Sequence, residues 1–325
     1  MFKISDILKN SQKNPEENKK SSDLNSMDHT NHLFKGVFTA LVTPFYKNEV
    51  DYDSLKNLID HQIAGGVHGI VLMGTTGECA TLEAEERQKI LETAITHING
   101  RVPILIGTGS NYTKKAIELS QQAESLGADG LLIVAPYYNK PTQQGLFLHY
   151  EAIAKATTKP ICLYSIPSRC GIEIATDTVV RLRKAHKNII AIKEAGGSCN
   201  RVSQLIKDND NNFSVLCGDD ALALPFFALG AKGVVSAASN LIARPMVKMF
   251  QLSADNDLES ASDINRQYYP LFRALTVETN PVPIKYFLYK AGLIKSPEVR
   301  LPLCSLSDNS LTLVHNVFES LHGFE

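Results

Sequence analysis

A chain of 325 residues with 44% hydrophobic content can bury a large core, and its length suits one big α/β barrel as well as two ordinary domains. The formal net charge of -1, with 21% charged residues, offers no strong field for nucleic acid or an anionic membrane, so small molecules and protein partners are expected instead. No apolar stretch of about 18 residues is free of charged or turn residues, and no signal-peptide core opens the chain, which points to a cytoplasmic protein.

Residues 1–35 are rich in Lys, Asn, Ser, Asp and Glu and cannot bury enough surface to offset their ordering entropy, which predicts a flexible tail. Asp6, Glu16, Glu17, Asp23 and Asp28 count against an organelle transit peptide. From Gly36 onward short apolar runs alternate with amphipathic segments at intervals of roughly 25 to 30 residues. Strands are predicted at 37–43, 69–73, 103–107, 130–135, 160–164, 189–193, 214–217 and 233–237. Between them, apolar residues at three and four spacing predict helices at 54–64, 83–98, 114–126, 145–156, 176–185 and 202–207. This alternation describes a (β/α)8 TIM barrel over residues 36–256. A doubly wound open sheet is the rival, but no G-x-G-x-x-G opens a helix after the first strand. Beyond Asp257 only helices follow, at 264–275, 283–291 and 310–321, which gives a C-terminal helical region of residues 257–325.

In such a barrel the chemistry collects at the carboxyl ends of the strands. The second strand ends in Gly74-Thr75-Thr76-Gly77-Glu78, where glycines let backbone N–H groups approach an anion and two hydroxyls can bind a carboxylate or pass a proton. A plain turn with a threonine cap is the alternative, and the P-loop pattern is absent. After the fourth strand, Tyr137 and Tyr138 sit in a proline-bounded loop suited to an interface. The fifth strand ends at Tyr164, and Arg169 beyond it offers either a bidentate clamp for a carboxylate or a surface ion pair.

The sixth strand carries Lys193 inside an apolar, β-branched run. Burial of an ammonium favours the free amine, a nucleophile for carbonyl carbon; a hidden carboxylate partner or a snorkelling side chain is the alternative. With a period of two, Ala191 and Lys193 share a face while Glu194 points away, so Glu194 is a poor partner. Asp219 and Asp220, after Gly218, read as helix caps rather than metal ligands. The nine histidines, including His61, His68, His97 and His149, form no metal or H-E-x-x-H pattern, so proton transfer is assigned to tyrosine and threonine hydroxyls. Six cysteines without a C-x-x-C pair read as reduced thiols.

Together the segments 74–78, 137–141, 164–171 and 192–195 resemble the dihydrodipicolinate synthase family of class I, Schiff-base-forming aldolases, over about residues 36–320. The pattern Tyr-x-x-Pro-Ser-Arg-x-Gly at 164–171 resembles the synthases rather than the sialic acid lyases and sugar-acid aldolases of the same superfamily. The resemblance implies condensation of pyruvate with L-aspartate 4-semialdehyde, on the route to diaminopimelate and lysine, through an imine on Lys193 and with no metal or organic cofactor. By similarity Thr75, Tyr164 and Tyr138 form a hydroxyl relay, Tyr138 reaching across a subunit interface of a homotetramer built as a pair of dimers. Thr76 would hold the pyruvate carboxylate, Arg169 the semialdehyde carboxylate, and Gly218 and Val235 would make backbone contacts near the imine. Ser165, Cys170 and Gly197 depart from the common pattern without removing a catalytic group. In the pocket where lysine inhibits some members, Asn111 and Tyr137 match, but Lys115 replaces a glutamate and Ala84 and Arg87 replace histidines. Weak or absent lysine feedback is therefore expected. A related aldolase or lyase for a sugar acid, and a non-catalytic ligand-sensing barrel, are the other readings.

Overall fold

The structure, a computed structural model, describes residues 33–321, so the tail expected for residues 1–35 lies outside the described residues except at 33–35. The chain enters a barrel through β1 (Gly36–Ala40), makes a short antiparallel hairpin of β2 (Phe45–Tyr46) and β3 (Glu49–Val50), and returns through β4 (Gly69–Leu72). The remaining barrel strands are β5 (Ile104–Gly107), β6 (Gly130–Val134), β7 (Ile161–Ser165), β8 (Ile189–Glu194), β9 (Ser214–Cys217) and β10 (Gly233–Ser236). All eight barrel strands pair in parallel, and β10 closes onto β1. Parallel strands covered on both faces need apolar residues on both, which is why these runs are continuously rather than alternately hydrophobic. Closure depends on glycine: a Cβ on Gly233 would lie 2.1 Å from the Gly36 carbonyl oxygen.

The crossover helices are α1 (Tyr52–Ala64), α2 (Ala84–Ile98), α3 (Thr113–Ser125), α4 (Gln143–Lys155), α5 (Pro167–Cys170), α6 (Thr176–Ala185), α7 (Cys199–Asp208), α8 (Ala223–Ala228) and α9 (Ser239–Ala254). Their starts follow side-chain chemistry: Asp51 caps α1 at Ser54 N, and Glu83 with Glu86 forms a capping box on α2. Three further helices, α10 (Leu258–Ala274), α11 (Val282–Lys290) and α12 (Asp308–Ser320), make the expected C-terminal appendage. The sequence pattern missed α9, whose interior Pro245 removes a backbone donor and leaves Ile242 outside helical geometry (φ -116°, ψ 52°). No helix among the described residues is long and apolar enough to cross a membrane.

The appendage is fastened to the barrel by buried charge. Lys285 on α11 is fully enclosed, donates to a Glu78 carboxylate oxygen and, at 2.6 Å, to the Glu298 carbonyl, and lies 4.1 Å above the Phe45 ring. Burial pulls its ammonium down to about 8 against the attraction of Glu78. The other Glu78 oxygen accepts the Arg300 backbone N–H at 3.0 Å, while the Arg300 guanidinium forks onto Glu86 with two bonds of 2.6 Å. Glu78 closes the loop that carries Thr75 and Thr76, so this network ties the C-terminal region to a candidate site loop.

One buried imidazole sets an acid limit. His149 on α4 is 5% exposed, meets Thr113 Oγ1 through Nδ1 at 3.0 Å, and has a buried Nε2 without a hydrogen-bond partner. Desolvation pushes its pKa from 6.5 down to about 4. The unfolded chain therefore takes up this proton first. The associated stability is fully present above about pH 6.5 and declines as pH falls toward 4, by about 3 kcal/mol. Urea midpoints should drop over this window, and His149→Phe should flatten that part of the profile; an unchanged profile in the variant would refute the assignment.

Candidate active site

The residues of β8 place Lys193 at the carboxyl end of the barrel. Every residue of Ile189–Glu194 is buried, and Lys193 itself is 7% exposed. Tyr164 on β7 is its direct neighbour in register, and the Lys193 Nζ lies 4.2 Å from the Tyr164 ring centroid. Gly218 after β9 leaves room for this lysine, because a Cβ there would come within 3.0 Å of Lys193 Cε. Glu194 points to the opposite face, as its alternation predicts, and bonds Arg201 Nε at 2.8 Å and Gly196 N at 2.7 Å. Lys193 makes no ion pair among the described residues, so the hidden-carboxylate reading fails.

The loop after β4 is a hydrogen-bonded turn. Gly77 N donates to Gly74 O at 3.1 Å, Glu78 N to Thr75 O at 3.0 Å, and Thr43 Oγ1 to Gly77 O at 2.8 Å. Met73, just before it, has φ +57° and Glu78 has φ +51°, left-handed backbone that non-glycine residues adopt at a cost and that clusters at functional sites. Asn280, from the segment between α10 and α11, donates to Thr76 Oγ1 at 3.0 Å. Arg169 on α5 donates to the Asn280 carbonyl at 3.3 Å and has no acidic partner among the described residues.

These elements enclose a cavity of about 190 Å³ lined by Thr75, Thr76, Tyr164, Arg169, Lys193, Gly218 and Val235. Seven sequence-predicted residues thus converge at one place. A smaller adjoining space of about 70 Å³ is lined by Met73, Thr75, Thr76, Cys79, Arg87 and Lys193. A larger cavity of about 330 Å³, lined by His61 and Arg244 among apolar residues, has no lysine amine in its lining, so chemistry rather than size locates the candidate site.

Other predicted residues fall elsewhere. Tyr138 is 90% exposed with φ +73°, Tyr137 is also exposed, and neither lines the Lys193 cavity within one chain. Ala84, Arg87 and Lys115 share an outer cavity of about 310 Å³ with Glu85, between α2 and α3. Asn111 and Tyr137 do not line it; the Asn111 carbonyl accepts from Asn139 Nδ2 at 2.8 Å.

Sequence reasoning missed the contribution of the C-terminal region, from which Phe272, Leu275, Thr276 and Asn280 wall the cavity. It also read both aspartates as caps. Asp219 does cap, its Oδ1 accepting Ala221 N at 3.0 Å. Asp220 instead bridges to the segment after β10, its Oδ2 accepting Ala237 N at 3.0 Å and Ala238 N at 2.9 Å, while burial raises its pKa. A buried acceptor between two strand ends satisfies donors that no helix would use.

Residues 33–321 match the model of the dihydrodipicolinate synthetase family. A 4-hydroxy-tetrahydrodipicolinate synthase from Persephonella marina is 46% identical over 271 residues, covering 83% of this chain and 92% of that protein. The solved structure of the enzyme of that name from Methylacidiphilum fumariolicum superposes with a TM-score of 0.87 at 47% identity, covering 88% of this chain and 95% of the other. A dihydrodipicolinate synthase from Cyanidioschyzon merolae, solved with lysine bound, gives a TM-score of 0.86 at 38% identity, covering 89% and 99%. With a closed eight-stranded barrel, the lysine at its mouth and a match spanning nearly all described residues, the chain belongs to the dihydrodipicolinate synthetase family.

Proposed function

We propose that this chain performs the reaction for which its relatives are named, condensing pyruvate with L-aspartate 4-semialdehyde to 4-hydroxy-tetrahydrodipicolinate in lysine and diaminopimelate synthesis. The observation that carries this reading is a buried Lys193, without a carboxylate partner among the described residues, sharing one cavity with Thr75, Thr76, Tyr164 and Arg169. Lys193 Nζ attacks the ketone carbon of pyruvate, water leaves, and a Schiff base forms without a metal or organic cofactor. The iminium draws electrons from the methyl carbon, which loses a proton to the Tyr164 hydroxyl and becomes the enamine that attacks the aldehyde, whose oxygen takes up a proton; the substrate's amino nitrogen, once deprotonated, then attacks the imine carbon, closes the ring and expels the Lys193 amine. Thr75 passes the proton on, Thr76 and the neighbouring N–H groups hold the pyruvate carboxylate, and Gly218 and Val235 bound the imine. Arg169, which pairs with no acid among the described residues, takes the carboxylate of the semialdehyde.

The relay is completed by Tyr138 of a second subunit, in a cytoplasmic homotetramer of paired dimers. The exposure of the Tyr137–Tyr138 loop supports that reading, since two large aromatic side chains in solvent are interface material.

Arg169→Ala tests the substrate. Its kcat/KM for aspartate 4-semialdehyde should fall roughly 10- to 100-fold, the worth of a charge-assisted hydrogen bond, while borohydride trapping of pyruvate is retained. Unchanged semialdehyde kinetics, or a wild-type preference for sugar acids, would sink the assignment.

Regulation should differ from that of relatives that bind lysine. Arg87 and Lys115 in the wall of the outer cavity support that reading, because cationic side chains disfavour an incoming α-ammonium. Activity is expected to be insensitive to millimolar L-lysine; strong inhibition in a titration would contradict this.

A further inference from the structure

We propose that Asp219 recognises the α-ammonium group of the second substrate and so makes the enzyme prefer the aminated semialdehyde over its deaminated analogue. The assignment rests on the reaction proposed above. The cavity that holds Lys193 carries Arg169 and Asn280 from α5 and the C-terminal region, and Asp219 and Asp220 from the end of β9. Pyruvate and the semialdehyde each bring a carboxylate into this space. A carboxylate in the wall repels both unless a cation arrives with one of them. The α-ammonium, two carbons from the reacting aldehyde, is that cation.

Of the two aspartates, Asp220 is already committed. Its Oδ2 is taken by the Ala237 and Ala238 amides, and its Oδ1, though without a hydrogen-bond partner among the described residues, is closed off from the space a substrate would enter. Asp219 uses only Oδ1, for the Ala221 amide, and forms no ion pair among the described residues. Its position also fits. Gly218 at the β9 end lies close to Lys193, a Cβ there standing 3.0 Å from Lys193 Cε, and Asp219 is the next residue. Lys193, Arg169 and Asp219 line one cavity, so a substrate held there between the enamine and Arg169 has the Asp219 carboxylate in the same wall. Arg169 then reads the carboxylate and Asp219 the ammonium, a two-charge readout of an amino acid.

The test compares L-aspartate 4-semialdehyde with 4-oxobutanoate, the same skeleton without the amino group, in wild type and Asp219→Asn at saturating pyruvate. Asparagine keeps an oxygen for the Ala221 amide and nearly the same volume. The KM for aspartate 4-semialdehyde should rise roughly 10- to 100-fold in the variant, while the competitive KI of 4-oxobutanoate stays unchanged or falls. Borohydride trapping of pyruvate should be the same in both proteins. Full wild-type turnover with an unchanged ratio of KI to KM in Asp219→Asn, or equal loss for both ligands, would overturn the role of Asp219 alone. Failure of the wild type to consume the semialdehyde would overturn this role together with the reaction on which it rests.

Discussion

Lys193→Ala is expected to lower turnover by about 10⁵-fold or more, the lower end of what a correctly placed nucleophile contributes through effective concentration. No neighbour can substitute: Glu194 faces away into Arg201, and Tyr164 presents its ring face to the Lys193 ammonium. Lys193→Arg should be equally inactive, because it keeps the cation but forms no imine under these conditions, which separates covalent chemistry from charge. Both variants should fold, since the position opens onto the cavity: alanine removes the charge, and arginine keeps it where lysine held it. Steady-state assays with circular dichroism check this; a Lys193→Ala protein within tenfold of wild type would show that the chemistry runs through another group.

Lys285→Met should cost about 3–5 kcal/mol of stability, because it leaves the Glu78 carboxylate buried without its cation. Glu78 is itself enclosed, and among the described residues its second oxygen is held by the Arg300 amide alone. The damage should reach the active site as well, since Glu78 closes the Thr75–Thr76 turn. Converting both members, in Lys285→Met with Glu78→Leu, should recover much of the lost stability, because no charge is then buried, yet leave activity impaired because the turn has lost its anchor. Urea unfolding of both single variants and the double variant measures the coupling. A single-variant loss below about 1 kcal/mol would mean that solvent reaches the pair, in the manner of a surface salt bridge.

The eight barrel strands were legible because strands buried on both faces leave uninterrupted apolar runs, and helices with one wet face keep their three-and-four spacing. What escaped notice did so for local reasons. The hairpin has two residues in each strand, too few for a period to register. Pro245 stands inside α9 and breaks the sequence cue for a helix although tertiary packing sustains it.

Within the candidate site, Lys193, Tyr164 and the paired threonines could be placed because each ends a strand whose position in the barrel is fixed by alternation. Asn280 could not, for it donates to Thr76 from 204 positions away, and no local pattern announces such a partner. Arg201 was missed for a related reason: alternation says that Glu194 leaves the barrel interior, but not which cation awaits it. Asp219 and Asp220 are adjacent in sequence and alike in chemistry, and only the fold assigns one to the Ala221 amide and the other to the loop after β10.

Lys193 is expected to capture pyruvate covalently. Incubating the protein with pyruvate and borohydride, digesting it and mapping the modified peptide by mass spectrometry reads that event directly. One reduced pyruvyl group should appear on Lys193 and be absent from Lys193→Arg treated identically. No adduct, or an adduct on another lysine such as Lys285 with Lys193 unmodified, would contradict the mechanism.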